Sequence, residues 1–293
     1  MGKINFTTNL YRNLLRILPM KLALYLIYFR GYHSILNLKN PKTFGEKIQW
    51  LKVNGGLEEL SSYVDKYEVR KFIKETIGKE YLNELYGVYD SVEEIDFSKL
   101  PKKFVLKCTN GSGAVMICND KNKFDINKAK CEMKKWLKDK YYKEKKEYQY
   151  KNIKNRIIIE KYLEDKSGSL IDYKIYCFKG VPMYYGVFYD RYIDKKIDFY
   201  NADGKKMENV NTCHIPNSTI VEPFDDRIKK MLNLSKKLSK IFTEVRVDFY
   251  YVNGKIYFGE LTFTDGAGSD PWYPKEFDFE IASKIELERV IIR

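Results

Sequence analysis

Two acidic residues near the carboxyl end of the chain, Asp248 and Glu260, carry the strongest chemical signal in the sequence. They lie in the stretch EVRVDFYYVNGKIYFGELTFTDGAG, residues 244–268, in which two alternating strands flank the dipeptide Asn253-Gly254. Asn-Gly between alternating apolar runs is the strongest short-range signal for a β-hairpin. The sequence therefore predicts a hairpin with one acidic residue on each strand.

The length of the turn decides whether the two carboxylates meet. Residues that face each other across a hairpin share a face, and successive residues alternate faces. A two-residue turn would therefore put Asp248 and Glu260 on opposite faces. A three-residue turn at 252–254, with the glycine at positive φ in a bulge, puts them on the same face and brings Arg246 and Thr262 there as well. We predict the three-residue turn.

Two carboxylates on one sheet face indicate a divalent cation. They repel each other unless a cation lies between them, and oxygen-only ligands favour Mg²⁺ or Mn²⁺ over a softer metal. The alternative is an ordinary hairpin with one solvent-exposed face.

A second candidate site is FVLKCTNGSGAVMI, residues 104–117. Lys107 comes late in an apolar strand and precedes a turn of small residues, whose backbone N–H groups can cradle an anion. Its ammonium can neutralise phosphate oxygens. The stretch is not a Walker A loop, because the Gly-Lys-Ser/Thr ending is missing and a strand follows. The alternative is a turn that only connects two strands.

A third candidate is IIIEKYLEDKSGSLIDYKIY, residues 157–176, where an apolar strand ends in Glu160–Leu163. Exposed backbone at this strand end can hydrogen-bond a planar heterocycle, and Asp172 on the next strand can bind ribose hydroxyls. A linker between two lobes explains the segment equally well.

Composition bounds the class of protein. With 293 residues, 44% hydrophobic and 15% aromatic, the chain is not globally disordered and forms one large or two medium domains. The net charge of +13 favours an anionic partner, but no nucleic-acid-binding motif is present, so we expect no nucleic acid. Five cysteines without CxxC spacing argue against a zinc site and suit a reducing cytosol.

We expect a cytoplasmic protein. No signal peptide is evident, and charged residues and a proline interrupt the apolar stretch at 14–29, which leaves too short a run to span a bilayer. This stretch is predicted to be a helix docked on the fold. Peripheral contact with the inner face of the membrane is the alternative.

The remaining pattern predicts an α+β fold with largely antiparallel sheets, because tight hairpins outnumber βαβ units. Helices are expected in 8–62, with a turn at 37–44 and a capping box of Thr43 and Glu46, and also in 64–77, 125–147 and 225–241. Strands are expected in 100–120, 156–165, 172–192, 196–207 and the final hairpin.

In this order, these features resemble the ATP-grasp fold, and more closely its TupA-like branch, named for teichuronopeptide biosynthesis. The resemblance is carried by NPKTFGEKIQWLK, VDKYEVRKFI, LPKKFVLKCTNGSG and GELTFTDGAG, and the local pattern is also similar to D-alanine–D-alanine ligases. It implies a helical segment at 1–62, an N-terminal lobe with a Gly-rich flap at 63–159, and a C-terminal lobe with a metal site at 160–293.

The resemblance implies ATP and Mg²⁺ (or Mn²⁺) as cofactors and assigns roles to the residues. The phosphates would be contacted by Lys66 and Lys107 beneath a flap of Ser112 and Gly113, with Lys174 and Arg191 as further phosphate contacts. The adenine hinge would be Glu160, Lys161, Tyr162 and Leu163, and Asp172 would bind ribose. The metal ligands would be Asp248, Glu260 and Thr262, and the catalytic residues Arg246, Lys107 and Arg191. Two positions depart from the family pattern, since Thr262 replaces a usual Asn and Asn110 a frequent His.

The implied reaction activates a carboxylate as an acyl phosphate, which an amine then attacks. Backbone N–H groups of the loop 264–268 would contact an acceptor or acyl oxygen. Family context implies a carboxylate-bearing sugar or polysaccharide precursor and an amino acid as partners, in cell-surface polysaccharide synthesis. Alternatives are an ATP-grasp sugar kinase, a nucleotide-sugar glycosyltransferase, whose acidic motif is matched only by Asp278-Phe279-Glu280, and a basic binding module without catalysis.

Overall fold

The computed structural model describes residues 6–165, 170–189 and 195–291. The helices are α1 Phe6–Ile17, α2 Met20–Tyr32, α3 Phe44–Asn54, α4 Ser61–Val64, α5 Val69–Thr76, α6 Ile126–Lys138, α7 Tyr142–Lys145, α8 Asp226–Ser239 and α9 Lys275–Ser283. The strands are β1 Leu85–Tyr89, β2 Phe104–Cys108, β3 Val115–Cys118, β4 Ile157–Lys161, β5 Asp172–Phe178, β6 Val181–Tyr189, β7 Lys196–Asn201, β8 Asn211–Thr212, β9 Glu244–Val252, β10 Lys255–Thr262 and β11 Trp272–Tyr273.

The N-terminal helices show the expected capping. The Thr43 hydroxyl accepts the Glu46 N–H at 3.1 Å, and the Glu46 carboxylate accepts the Thr43 N–H at 3.0 Å, so the predicted capping box of α3 is confirmed. The predicted helix at 64–77 begins later, at Val69. The Asp65 carboxylate accepts the N–H groups of Tyr67 and Glu68 at 2.7 and 3.0 Å, which holds the preceding residues in a turn.

A four-stranded sheet with the order β1-β4-β2-β3 carries the Gly-rich turn between β2 and β3, as predicted. Its strand pairs are antiparallel. The helix predicted at 125–147 is interrupted, since α6 ends at Lys138 and a short α7 follows. Lys146 then takes a left-handed conformation with φ of 56°, which ends α7.

The second sheet has five antiparallel strands in the order β10-β9-β5-β6-β7. Helix α8 packs on one face, where Arg227 donates to the Tyr173 hydroxyl at 2.7 Å. Phe249 pairs with Tyr173 and therefore shares that face, whereas Arg246 and Asp248 lie on the opposite one. The strands of the first sheet lie between Leu85 and Lys161 in the sequence, and those of the second sheet lie between Asp172 and Thr262. The predicted domain boundaries stay a prediction.

The final hairpin corrects the predicted three-residue turn. Lys255 pairs with Val252, so the turn has only two residues, Asn253 and Gly254, at φ of 49° and 83° as a type I′ turn requires. The extra residue lies further along β10, in a bulge between Phe258 and Glu260.

This bulge gives the pairing that the longer turn was expected to give. Beyond it, Glu260 pairs with Asp248 and Thr262 with Arg246. One extra residue shifts the register by one wherever it is inserted, so both carboxylate-bearing residues come to the same face. At the bulge, a Cβ on Gly259 would lie 3.0 Å from the Asp248 carbonyl oxygen, a close approach that favours glycine.

Candidate functional site

Strands β5, β9 and β10 present a row of charged side chains on the sheet face opposite α8. Lys174 pairs with Asp248, and Asp248 in turn pairs with Glu260 on the next strand. One step along, Arg246 lies between Tyr176 and Thr262. The antiparallel register therefore brings residues of three strands into one cluster.

Asp248 is the centre of this cluster. Its carboxylate lies 2.6 Å from the Lys174 ammonium and accepts Arg246 Nε and Nη2 at 2.7 and 2.8 Å. All three side chains are more than nine-tenths buried. Burial alone would raise the pKa of Asp248, but the two cations hold it below its usual range. Asp248 is therefore ionised in the folded protein at neutral pH.

Arg246 links three acidic side chains. Besides Asp248, it pairs with Asp265, and its Nη2 lies 3.6 Å from a Glu260 oxygen. Burial would lower the pKa of Arg246, but the carboxylates of Asp248 and Asp265 raise it well above its ordinary value. The Tyr176 hydroxyl donates to Asp265 at 3.0 Å and orients it.

Asp265 was not among the predicted site residues. The signal that points to it is local, because it follows Glu260 by five positions in the same segment, just beyond the end of β10. The sequence offers this nearness, and the structure adds the pairing of Asp265 with Arg246.

Glu260 and Asp248 differ in exposure. Nearly half of the Glu260 side chain (48%) is exposed, against 8% for Asp248. The Thr262 hydroxyl donates to Glu260 at 3.5 Å and accepts Arg246 Nη2 at 3.1 Å. Glu260 is therefore the solvent-exposed carboxylate of this cluster.

These oxygens fit a magnesium site that is completed by a nucleotide. Among the residues that the structure describes, no group of three or more His, Cys, Asp or Glu side chains could hold a metal ion alone. Mg²⁺ is usually bound by one or two carboxylates together with waters and substrate phosphates. Asp248 and Glu260 supply two carboxylates. Asp248 Oδ2 accepts from both Lys174 and Arg246 Nη2, whereas Oδ1 accepts from Arg246 Nε and keeps a second lone pair for a metal. The assignment of the metal ligands stays a prediction.

Lys107, on β2, is held by Glu160 of the neighbouring β4. Its ammonium lies 2.7 Å from Glu160 Oε2, and Arg70 Nη1 lies 3.2 Å from Oε1 of the same carboxylate. Arg70 also donates to the Asn83 carbonyl at 2.7 Å. Both oxygens of the Glu160 carboxylate therefore hold cations, and the role of its backbone in the adenine hinge stays a prediction.

Lys66 contacts the segment that follows β2 of the first sheet. Its N–H donates to the Thr109 carbonyl at 3.1 Å, and its ammonium donates to the Gly111 carbonyl at the base of the flap. Burial and the nearby charge of Lys107 lower the pKa of Lys66, while the Glu260 carboxylate acts in the opposite direction. Lys66 therefore lies within electrostatic reach of Lys107 on the first sheet and of Glu260 on the second.

The predicted flap is open to solvent at its tip. Ser112 and Gly113 are exposed, and a Cβ on Gly113, at φ of 84°, would meet no atom within 4 Å. Asn110, which stands where relatives often have His, is buried and donates to Asn155 Oδ1 at 2.7 Å. Asn110 therefore anchors the base of the flap.

Both backbone polar groups of Lys161 have hydrogen-bond partners within the protein. Its N–H donates to the Glu84 carbonyl, and its carbonyl accepts the Asn83 side-chain amide, both at 2.9 Å. Since Lys161 is still part of β4, only Tyr162 and Leu163 lie beyond the strand end. The predicted adenine hinge of Glu160–Leu163 stays a prediction.

Asp172 and Arg191 are the two remaining predicted site residues. Asp172 is buried on β5, on the same face as Lys174 and two residues before it. Its predicted contact with ribose stays a prediction. Arg191 lies outside the described residues.

The loop 264–268 is fixed by buried side chains of α3. Gln49 donates to the Ala267 and Gly268 carbonyls at 2.9 and 3.0 Å, and the Lys52 ammonium donates to the Ala267 carbonyl at 2.6 Å. The Ala267 N–H donates to the Thr264 carbonyl at 2.8 Å, so this amide is engaged inside the loop instead of facing a substrate. The helical N-terminal segment thus positions the loop.

Lys52 makes stability depend on pH. Burial lowers the pKa of Lys52 to about 7. Because its pKa is higher in the unfolded chain, folding releases a proton between these two values, and stability increases as pH rises through that window. We expect the thermal midpoint of the wild type minus that of Lys52→Met to increase between pH 7 and pH 9. Differential scanning calorimetry of both proteins at the two pH values measures this difference. A constant difference between the two proteins would contradict the assignment.

The partial glycosyltransferase motif is part of the packing. Asp278 accepts the N–H groups of Phe44 and Trp272 at 2.5 and 3.2 Å and is buried. Glu280 accepts the Tyr184 hydroxyl at 2.7 Å. Both carboxylates connect secondary-structure elements, so these two residues do not support a nucleotide-sugar site.

Comparison with known proteins agrees with this arrangement. The family model described as TupA-like ATPgrasp matches residues 46–286, most of the chain. The chain belongs to the TupA-like ATP-grasp family. This membership confirms the predicted family and the α+β ATP-grasp fold.

Solved structures give more distant likenesses. The D-alanine–D-alanine ligase from Bacillus anthracis is 18% identical with a TM-score of 0.43, over 79% of this chain and 74% of that one. The complex of the Bacillus anthracis ligase with ATP is 15% identical with a TM-score of 0.40. The TupA-like chain spans only 55% of the length of the chain in that complex. The D-alanine–D-alanine ligase from Helicobacter pylori is 11% identical with a TM-score of 0.44. The match covers 83% of this chain and 69% of that one. No curated protein matches the chain. The family assignment rests on the family match.

Proposed function

We propose that this TupA-like protein uses Mg·ATP to join a carboxylate to an amine through an acyl phosphate. The observation that supports it most is the position of Lys66, which lies within electrostatic reach of Lys107 on the first sheet and of Glu260 on the second. Glu260 in turn belongs to the cluster of Asp248 and Arg246. Cations that can hold phosphate oxygens and carboxylates that can hold Mg²⁺ thus lie near one another, as phosphoryl transfer requires.

Each residue then has a distinct task. Lys66 and Lys107 would bind phosphate oxygens, and Glu160 would keep Lys107 oriented toward them. Asp248, Glu260 and the Thr262 hydroxyl would hold Mg²⁺, which neutralises charge on the phosphates when bound. Arg246, fixed by Asp248 and Asp265, would stabilise the charge on the transferring group.

The proposed reaction has two chemical steps. A carboxylate oxygen forms a bond to the γ-phosphorus as the bond to the β-phosphate oxygen breaks, which gives an acyl phosphate and ADP. The amine nitrogen then bonds to the acyl carbon, inorganic phosphate leaves, and the ammonium proton passes to solvent. We assign the carboxylate to a sugar acid of a cell-surface polysaccharide precursor and the amine to an amino acid.

The five free cysteines fit a reducing, cytoplasmic compartment.

Product analysis tests this function. The protein is incubated with Mg·ATP and a panel of uronic-acid oligosaccharides, with an amino acid or with hydroxylamine, which traps acyl phosphates as hydroxamates. We expect ADP, inorganic phosphate and an amide or hydroxamate in equal amounts. A phosphosugar without inorganic phosphate would identify a sugar kinase. Calorimetric binding of Mg·UDP-sugar with no ATP signal would identify a nucleotide-sugar enzyme.

A further inference from the structure

Helices α1 and α2 expose an unusual amount of apolar surface. On α1, Leu10, Leu14 and Ile17 are spaced by four and three positions, and Ile17 is 80% exposed. Of the sixteen large hydrophobic side chains that are exposed in the described part of the chain, eight lie between residues 10 and 35. This outer face of α1 and α2 is therefore a concentrated apolar surface.

The same pattern continues on α2. Its exposed side chains are Leu22, Tyr25, Leu26 and Phe29. They follow one another at helical spacing and form one stripe, while Leu24 and Tyr28 on the other side are buried. The buried side packs into a cluster of its own, so the exposed stripe is the surplus apolar face of an already folded pair of helices.

Ion pairs fix this helix pair on the protein. Arg12 lies 3.0 Å from Glu144, and Arg16 lies 2.8 Å from Asp139 and 3.3 Å from Glu144. These bonds tie α1 to α7 and its preceding loop. The apolar face therefore points outward from a defined position.

The charge of this segment selects the partner. Residues 1–45 contain no Asp or Glu, and their basic residues are Lys3, Arg12, Arg16, Lys21, Arg30, Lys39 and Lys42. Lys21 and Arg30 are exposed on the same helix as the apolar stripe. A second copy of this chain would bring the same positive charge to the contact and be repelled, whereas an anionic lipid surface would be attracted.

We propose that the outer face of α1 and α2 binds peripherally to an anionic membrane surface, with the apolar stripes at the boundary between headgroups and acyl chains. Within the described ranges, no helix is long and apolar enough to cross a bilayer. Helices that lie in the interface need only an apolar face flanked by basic residues. Surface binding of this kind would hold the protein at the membrane, and it does not depend on the reaction proposed above.

Vesicle sedimentation of the full chain tests the proposal. The probes are large unilamellar vesicles of phosphatidylcholine alone or with phosphatidylglycerol. We expect binding to the anionic vesicles that weakens with added salt. The double substitution Leu22→Ser, Phe29→Ser is expected to lower the partition coefficient at least about tenfold. Lys21→Gln, Arg30→Gln is expected to lower it about twentyfold on anionic vesicles only.

A matched control uses another exposed apolar pair. Ile220 and Val221 are 56% and 68% exposed and lie far from the N-terminal helices in sequence. Their double replacement by serine should leave vesicle binding unchanged, and circular dichroism verifies that each variant is folded. The proposal is overturned if the wild type stays in the supernatant at all lipid concentrations or if the control pair matters equally. A dimer in light scattering that Leu22→Ser, Phe29→Ser dissociates would assign the face to a second copy instead.

Discussion

Replacing Glu260 with glutamine is expected to lower ATP-dependent turnover about 10²–10³-fold, the usual cost of losing one electrostatic contact to a transition state. The substitution keeps the size of the side chain but removes its negative charge. Nearly half of this side chain is exposed, and its closest cation, Arg246, lies 3.6 Å away. Little of the folding energy depends on such a pair, so we expect the unfolding temperature to stay close to that of the wild type.

The measurement combines turnover with calorimetric titration of ATP at several Mg²⁺ concentrations. Glu276→Gln is the matched control, because Glu276 is an exposed glutamate on α9. In the Glu260 variant, ATP affinity should lose most of its dependence on Mg²⁺, whereas the control should behave like the wild type. Unchanged turnover in a folded Glu260→Gln protein would exclude this carboxylate as a metal ligand.

The hairpin shows why the pairing of Asp248 and Glu260 could be predicted although its geometry could not. The two strands and the Asn253-Gly254 turn follow from alternation and turn chemistry. A shift of the register by one residue moves every side chain of a strand to the other face, whereas a shift by two residues restores the original face. A bulge at Gly259 and a longer turn give the same shift, so the sequence pattern alone does not distinguish them.

The contacts that could not be predicted join residues that are distant in sequence. Glu160 holds Arg70, ninety positions earlier, and Lys107, fifty-three positions earlier. In the sequence Glu160 looks like the end of a strand, and only the order of the strands in the first sheet shows which cations it faces. Lys52, on α3, contacts the loop 264–268 in the same way, across 215 positions.

The late start of α5 has a local cause that the periodicity concealed. The apolar spacing of residues 64–77 fits a helix, but the Asp65 side chain satisfies two backbone N–H groups in a turn. Asp and Asn compete with helix formation through such bonds. The turn also leaves Lys66 outside the helix, where its ammonium reaches the Gly111 carbonyl at the base of the flap.

Replacing Arg246 with methionine is expected to abolish turnover and to destabilise the fold by about 3–5 kcal/mol, the usual effect of removing one partner of a buried ion pair. The buried carboxylate of Asp248 would keep only Lys174, and Asp265 would keep only the Tyr176 hydroxyl. Arg246→Lys retains one charge, but a lysine cannot reach both carboxylates with the geometry of a guanidinium. We therefore expect an intermediate stability for Arg246→Lys with almost no activity.

Combining Arg246→Met with Asp265→Asn separates the structural part from the catalytic part. Asp265→Asn removes one of the charges that the first substitution leaves unpaired, so the double variant should be more stable than Arg246→Met alone. Urea unfolding of the wild type, both single variants and the double variant gives this coupling free energy directly. Turnover should remain absent in the double variant, because restoring stability does not restore the cation beside the transferring phosphoryl group. If the double variant recovered turnover together with stability, Arg246 would have only a structural role.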